Sequence, residues 1–140
     1  MEICIDFDGT CVTHEFPKVG KDIGAVPVLK KLVEAGHKLI LFTMRSDRPN
    51  HTGQLREDIK DVTGIFLTDA IDWFNKNQIP LYGINSNPNQ GWTTSPKAYA
   101  HLYIDDAALG CPLLFIPEMA DRPFADWNKI EEILIEMKIL

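Results

Sequence analysis

The chain has 140 residues, of which 45% are hydrophobic and 24% are charged, as is typical of one globular domain. Its formal net charge of −6 disfavours nonspecific binding to nucleic acid or to an anionic membrane, and no apolar stretch is long enough to span a bilayer. Met1 is followed almost directly by the first predicted strand, so we expect no signal peptide. The odd number of cysteines favours a reducing, cytoplasmic location.

The first part of the chain alternates between predicted strands and helices. Residues 2–7 form an apolar run that predicts a buried strand. Apolar residues then recur with helical spacing over 26–33, and Gly36 is well placed to end that helix. Residues 38–42 are almost continuously apolar, which predicts a second buried strand that ends at Thr43.

The same alternation continues to the end of the chain. Residues 46–64 are polar and carry only a weak signal for a short helix around 55–62. The other predicted elements are a helix over 67–74, strands over 81–84, 101–104 and 113–116, a loop over 85–96 and a closing helix over 126–138. This order predicts one α/β domain over 1–140, with a doubly wound, mainly parallel sheet between two helical layers.

Polar side chains follow three of the predicted strands at the point where each strand ends. Asp6 and Asp8 follow the first strand, Thr43 the second, and Asp105 with Asp106 the fourth. The carboxyl ends of parallel strands border the ligand site of an open α/β sheet. Each residue alone fits an ordinary turn or helix cap, but together they favour a site for a divalent cation and a phosphate.

This set of residues resembles the haloacid dehalogenase superfamily, in its phosphatase branch. Four motifs occur in the family's order within roughly residues 1–110: Asp-X-Asp-X-Thr at Asp6, Asp8 and Thr10, a Thr closing a strand at Thr43, a Lys at Lys97, and an acidic pair at Asp105 and Asp106. The resemblance implies a Rossmann-like core. The intervals between the motifs leave no space for the cap domain that many members carry.

The resemblance implies a phosphatase that works through an aspartyl-phosphate intermediate. Asp6 would attack phosphorus, and Asp8 would protonate the leaving oxygen and later deprotonate the attacking water. Thr43 and Lys97 would hold the phosphoryl oxygens, with Lys97 also orienting Asp6. These four residues are the predicted catalytic set. We expect the carboxylates of Asp6, Asp8 and Asp105 to converge on one cation-sized site, with Thr43 and Lys97 facing it. A Lys97 side chain that points into solvent away from Asp6 would contradict the catalytic assignment.

Magnesium is the cofactor that the resemblance implies. Its predicted ligands are Asp6, the backbone carbonyl of Asp8, and one of Asp105 and Asp106, with Asp105 favoured. The ion would offset the repulsion between the attacking carboxylate and the anionic phosphate.

The expected partner is a phosphorylated substrate whose identity the sequence does not give. The predicted substrate contacts are Thr10, Arg45, Arg48 and Asn85. The two arginines could hold a second phosphate or a carboxylate bidentately, although arginines in loops are usually solvated. The loop over 11–22 is expected to form a small flap after the first motif, and the loop over 85–96 is expected to line the mouth of the site. A capless site could also be completed by a second copy of the chain, so a homo-oligomer is a further expectation.

Three other functions stay open at this point. A transferase or mutase would share the first half of the mechanism. A phosphoacceptor signalling module, resembling response-regulator receiver domains, uses similar residues, but there the acidic pair follows the first strand instead of a later one. A catalytically silent relative would bind phosphate or a partner without turnover.

Overall fold

The computed structural model of the protein describes residues 1–48 and 63–140. The elements before the gap are β1 (Glu2–Ile5), α1 (Ala25–Glu34), β2 (Lys38–Leu41) and β3 (Asp47–Arg48). The elements after it are β4 (Gly64–Ile65), α2 (Phe66–Lys76), β5 (Gly83–Ile84), β6 (Leu102–Ile104), β7 (Leu113–Leu114), β8 (Phe124–Ala125) and α3 (Trp127–Glu136). The short helix predicted around 55–62 lies outside the described residues.

A four-stranded parallel sheet in the order β5-β2-β1-β6 forms the centre of the fold. Ile3 of β1 lies opposite Leu39 of β2 and Leu102 of β6. The chain moves outward from β1 through β2 to β5, then returns to the other side of β1 at β6. The order in which successive strands are added to the sheet therefore changes direction between β1 and β6. Open α/β sheets bind ligands at such a position.

The main hydrophobic core lies on one face of this sheet. Side chains alternate between the two faces along a strand, so Ile3 and Ile5 point to the same side. They belong to one buried cluster that also contains residues of all three helices, including Leu29, Phe74 and Leu134, each at most 2% exposed. The apolar stripes predicted for the helices over 26–33, 67–74 and 126–138 are thus core faces.

The opposite face of the sheet is covered by a loop in the part of the chain that the structure describes. Cys4 and Ile40 pack there with Ala98, and Ala100 and Tyr82 add partly buried contacts. The central parallel sheet and the α/β class are as predicted. The two helical layers are not confirmed, because the described helices share one face and residues from the segment 85–101 occupy the other.

Local chemistry explains where the helices begin and end. Gly36, predicted to end α1, has a φ of 91°, a left-handed conformation that glycine adopts without a steric penalty. Asp126 caps α3, and its carboxylate accepts a hydrogen bond from the backbone N–H of Lys129. α2 ends at Lys76, before Pro80, and Gln78 takes the left-handed φ of 57°.

The strand predicted over 113–116 does not join the parallel sheet. Leu113 and Leu114 pair with Ala125 and Phe124 in an antiparallel ribbon, outside the parallel sheet. A second antiparallel ribbon joins β3 to β4. These two-residue strands carry no periodic signal, so their pairing was not predicted. No helix among the described residues is long and apolar enough to cross a membrane.

Candidate active site

Three carboxylates converge at the carboxyl end of the central strands. Asp6 follows β1 and Asp105 and Asp106 follow β6, and the backbone N–H of Asp6 donates to the Ile104 carbonyl at 3.0 Å. One carboxylate oxygen from each of the three residues lies within 4.8 Å of the other two. We call these residues the acidic cluster. The sequence predicted this meeting, since adjacent parallel strands bring their ends together.

Thr10 holds two members of the acidic cluster together. Its hydroxyl donates to Asp6 Oδ2 at 2.8 Å and accepts from the backbone N–H of Asp106 at 3.0 Å. The residue is fully buried. This position differs from the substrate contact predicted for Thr10, because a side chain that is closed off from solvent organises the site instead of touching a ligand.

Gly9 and His14 complete this part of the site. Gly9 has a φ of 80°, and a Cβ added to it would come within 2.0 Å of His14 Nε2. That nitrogen lies 2.8 Å from Asp106 Oδ2. The sequence places His14 in the loop over 11–22, which was expected to form a small flap. No sequence signal marked the contact, which joins residues 92 positions apart.

Asp6 has an unusual electrostatic environment. Burial raises the pKa of its carboxyl from 3.8 to about 7, and the neighbouring charge of Asp105 adds to the rise, whereas the hydrogen bond from Thr10 opposes it. Two or three close carboxylates resist joint ionisation unless a cation shares their charge. The chemistry of this donor set, all oxygen and all acidic, fits a hard divalent cation such as Mg²⁺.

The Asp8 side chain pairs with Arg45. Arg45 Nε donates to Asp8 Oδ2 at 2.7 Å and Arg45 Nη2 donates to Asp8 Oδ1 at 2.8 Å, which is a bidentate ion pair. The Asp8 carboxylate is therefore not part of the acidic cluster. The expected convergence of the Asp8 carboxylate with those of Asp6 and Asp105 is therefore not found, because both Asp8 oxygens accept hydrogen bonds from Arg45. The metal contact predicted for Asp8 itself involves its backbone carbonyl, which the ion pair does not use.

Arg45 is almost completely buried, with 3% of its surface exposed. Beyond Asp8, its guanidinium donates to the carbonyls of Lys18 at 2.8 Å, Phe66 at 3.2 Å and Pro17 at 3.5 Å. A guanidinium has five N–H groups, and five acceptors are thus present within the chain. This differs from the substrate contact predicted for Arg45, because no N–H group is left to bind a ligand.

Thr43 and Asn85 meet at the carboxyl ends of the neighbouring strands β2 and β5. The Asn85 side chain accepts a hydrogen bond from the backbone N–H of Thr43 at 2.8 Å, and Thr43 Oγ1 accepts one from the backbone N–H of Arg45 at 3.1 Å. Asn85 adopts the left-handed φ of 54° in doing so. The Asn85 side chain thus fixes the backbone at Thr43, a different role from the substrate contact predicted for it.

Lys97 is exposed and does not contact Asp6 in the described structure. Its ammonium lies 5.5 Å from the centroid of the Tyr103 ring, a cation–π distance. The predicted role for Lys97, to hold phosphate and orient Asp6, therefore has no support from its position here. Arg48, the other predicted substrate contact, is partly buried and pairs through β3 with Gly64.

The chain is similar in structure to a conserved protein from Bacteroides thetaiotaomicron. The two share 33% sequence identity with a TM-score of 0.68, and the alignment covers 99% of this chain and 91% of that one. This agreement over nearly the whole length supports the α/β fold. No family model matches the chain, and no curated protein matches it.

Proposed function

We propose that this chain, which belongs to the same family as the conserved Bacteroides thetaiotaomicron protein, is a magnesium-dependent phosphomonoester hydrolase. The observation that carries the proposal is the acidic cluster, which lies at the ends of β1 and β6, where the order of the strands changes direction. Asp8 follows Asp6 by two residues. In this proposal the fold is the capless core of the haloacid dehalogenase superfamily, and the substrate is a phosphorylated molecule.

The first chemical step transfers the phosphoryl group to the protein. A carboxylate oxygen of Asp6 attacks phosphorus, the bond between phosphorus and the leaving oxygen breaks, and Asp8 supplies a proton to that oxygen where the leaving group needs one. Thr43 lies at the end of the neighbouring strand, where its hydroxyl can donate to a phosphoryl oxygen. Burial of Asp6 disfavours its ionised form, so a cation in the acidic cluster would favour the nucleophile.

The second step releases phosphate. Water attacks phosphorus, its proton passes to Asp8, and the bond from phosphorus to the Asp6 oxygen breaks, which restores both carboxyl groups. Asp6, Asp105 and Asp106 would hold Mg²⁺, which neutralises negative charge on the transferred group when it is bound. Thr10 and His14 keep the carboxylates of Asp6 and Asp106 in place for this ion.

The test is hydrolysis of nitrophenyl phosphate with Mg²⁺ or with EDTA. We expect Mg²⁺-dependent turnover by the natural sequence and a loss of at least about 10³-fold in Asp6→Asn, because the nucleophile is removed. Asp121→Asn, a change to an exposed carboxylate, serves as the matched control and should keep the full rate. Equal rates for the natural sequence and Asp6→Asn would contradict the proposal.

The position of Lys97 favours a second candidate, a relative that binds a cation or phosphate without turnover. Lys97→Met distinguishes the phosphatase from the silent relative. If the phosphatase proposal holds and Lys97 turns toward bound phosphate, the variant should lose at least about tenfold in kcat/KM. A protein that binds Mg²⁺ in calorimetry but turns over no phosphoester would favour the silent relative.

A further inference from the structure

We propose that Arg45 is a positioning residue that holds Asp8 as the base for the second step, in which water attacks the phosphorylated Asp6. The inference rests on the proposed phosphatase function and adds a residue to it. The sequence placed Arg45 among the substrate contacts, and the structure instead commits it to Asp8.

The geometry of the pair fixes the Asp8 carboxylate in two directions. Both of its oxygens accept hydrogen bonds, at 2.7 and 2.8 Å, from two different nitrogens of one planar guanidinium. A bidentate contact of this kind restricts rotation of the carboxylate as well as its distance, which a single lysine contact does not do.

Arg45 is itself held from all sides. Its guanidinium carbon lies 5.1 Å from the centroid of the Phe7 ring and 5.2 Å from that of Phe16. Its remaining N–H groups donate to the carbonyls of Pro17, Lys18 and Phe66. Because these contacts come from three separate segments, Arg45 is a rigid support for Asp8 and does not have to be ordered when a ligand binds.

The Asp8 side chain is more exposed than the Arg45 side chain, and a base that takes a proton from water has to be accessible to water. The Arg45 side chain is 1% exposed, whereas the Asp8 side chain is 19% exposed. Solvent therefore reaches part of the Asp8 side chain but almost none of the Arg45 side chain. A carboxylate that water can reach is able to act as a general base.

The two steps of the reaction respond differently to this arrangement. With a nitrophenyl leaving group, the first step needs no proton, because nitrophenolate departs as an anion. The second step always needs a base for water. The value of kcat/KM contains only events up to the first irreversible step, the phosphorylation of Asp6, whereas kcat also contains the hydrolysis of that intermediate.

The experiment is steady-state and rapid-mixing kinetics of the full chain with nitrophenyl phosphate and Mg²⁺. In Arg45→Lys we expect kcat to fall at least about tenfold more than kcat/KM, so that KM falls too. A burst of nitrophenolate, at most one equivalent per active enzyme, should precede the slow phase. Asp8→Asn should show the same pattern. KM does not depend on the amount of folded enzyme, so partial unfolding cannot mimic the result.

Two outcomes would overturn the inference. If kcat and kcat/KM fall by the same factor in Arg45→Lys and no burst appears, Arg45 is a scaffold residue only, and the phosphatase proposal stands. If the natural sequence shows no Mg²⁺-dependent turnover, the phosphatase proposal fails and the inference fails with it. Arg45→Gln, read by the same KM change and burst, replaces Arg45→Lys if that variant does not fold.

Discussion

At the scale of single residues, the site is organised by partly buried hydrogen bonds and an ion pair that hold the carboxylates in place. Thr10 joins Asp6 to Asp106, and Arg45 holds Asp8. Carboxylates that lie close together repel each other, so each needs a donor to stay in place. The result is two separate arrangements, an acidic cluster that can hold a cation and an ion pair that holds Asp8.

Removing the hydroxyl of Thr10 should destabilise the protein. Thr10→Val leaves the backbone N–H of Asp106 without its acceptor inside a buried site, which costs about 1–3 kcal/mol. The measurement is urea unfolding at neutral pH. Thr10→Ser keeps the hydroxyl and should stay within about 1 kcal/mol of the natural sequence. Equal losses in both variants would mean that packing of the methyl group, and not the hydrogen bond, stabilises the site.

The raised pKa of Asp6 makes stability depend on pH in the absence of metal. Its carboxyl has a pKa of about 7 in the folded chain against 3.8 for an ordinary aspartate. As pH rises from about 4 to about 7, the unfolded chain gives up this proton first, so this group's contribution lowers the free energy of unfolding and then levels off. Asp6→Asn removes the effect.

We therefore expect Asp6→Asn in EDTA to gain thermal stability relative to the natural sequence as pH rises through this interval. The difference should be small near pH 4 and constant above about pH 7. Asp72→Asn, at an exposed position of α2, should show no such trend. A difference between Asp6→Asn and the natural sequence that does not change with pH would contradict the raised pKa.

The sequence predicted the acidic cluster but not the side chains that hold its carboxylates and that of Asp8 in place. Asp6, Asp105 and Asp106 could be placed together because each follows an apolar strand, and strand ends meet at one edge of a parallel sheet. The contacts of Arg45 with Asp8 and of His14 with Asp106 join residues far apart in the chain. Nothing in their local sequence indicates such a partner, so they appear only in three dimensions.

At the scale of elements, the helices were predictable and the covering of the second sheet face was not. Helical periodicity reports which side of a helix is buried, and α1, α2 and α3 lie where it indicated. The segment 85–101 was correctly predicted to be a loop over most of its length. Its conformation depends on hydrogen bonds within the segment, such as those of Asn87, which leave no periodic pattern in the sequence.

Asn87 should be important for the conformation of this loop. Its side chain is buried and bonds twice, donating to the Tyr99 carbonyl at 3.0 Å and accepting from the backbone N–H of Asn89 at 2.9 Å. Asn87→Ala should lower the free energy of unfolding by about 1–3 kcal/mol. Asn89→Ala keeps its backbone N–H and serves as the control, with little loss expected in urea unfolding. Similar effects of the two variants would contradict the assignment.

At the scale of the whole molecule, the end of the chain supports the site at its beginning. Trp127 of α3 donates its indole N–H to the Thr10 carbonyl at 2.6 Å, and the backbone N–H of Ala125 donates to the Gly9 carbonyl at 2.9 Å. The turn that carries the first motif is therefore fixed by residues more than 110 positions later. The periodicity of the last helix predicted that Trp127 is buried, but not this bond.

Trp127→Phe should affect stability and activity together. The change removes the indole donor at a buried site, which costs about 1–3 kcal/mol, and it loosens the turn next to Asp6. Trp92→Phe is the matched control because Trp92 is 65% exposed. Thermal unfolding and nitrophenyl phosphate turnover should both fall for Trp127→Phe only. A loss of stability without any change in turnover would show that α3 does not influence the active site.

The central claim is that Asp6 becomes phosphorylated, and chemical trapping tests it most directly. Acid quenching during turnover of nitrophenyl phosphate with Mg²⁺, followed by borohydride, reduces an aspartyl phosphate to homoserine, which peptide mass spectrometry locates in the chain. The account predicts homoserine at position 6 in the natural sequence, more of it in Arg45→Lys, and none in EDTA. Sustained turnover with Asp6 unmodified in Arg45→Lys, or homoserine at a different aspartate, would contradict it.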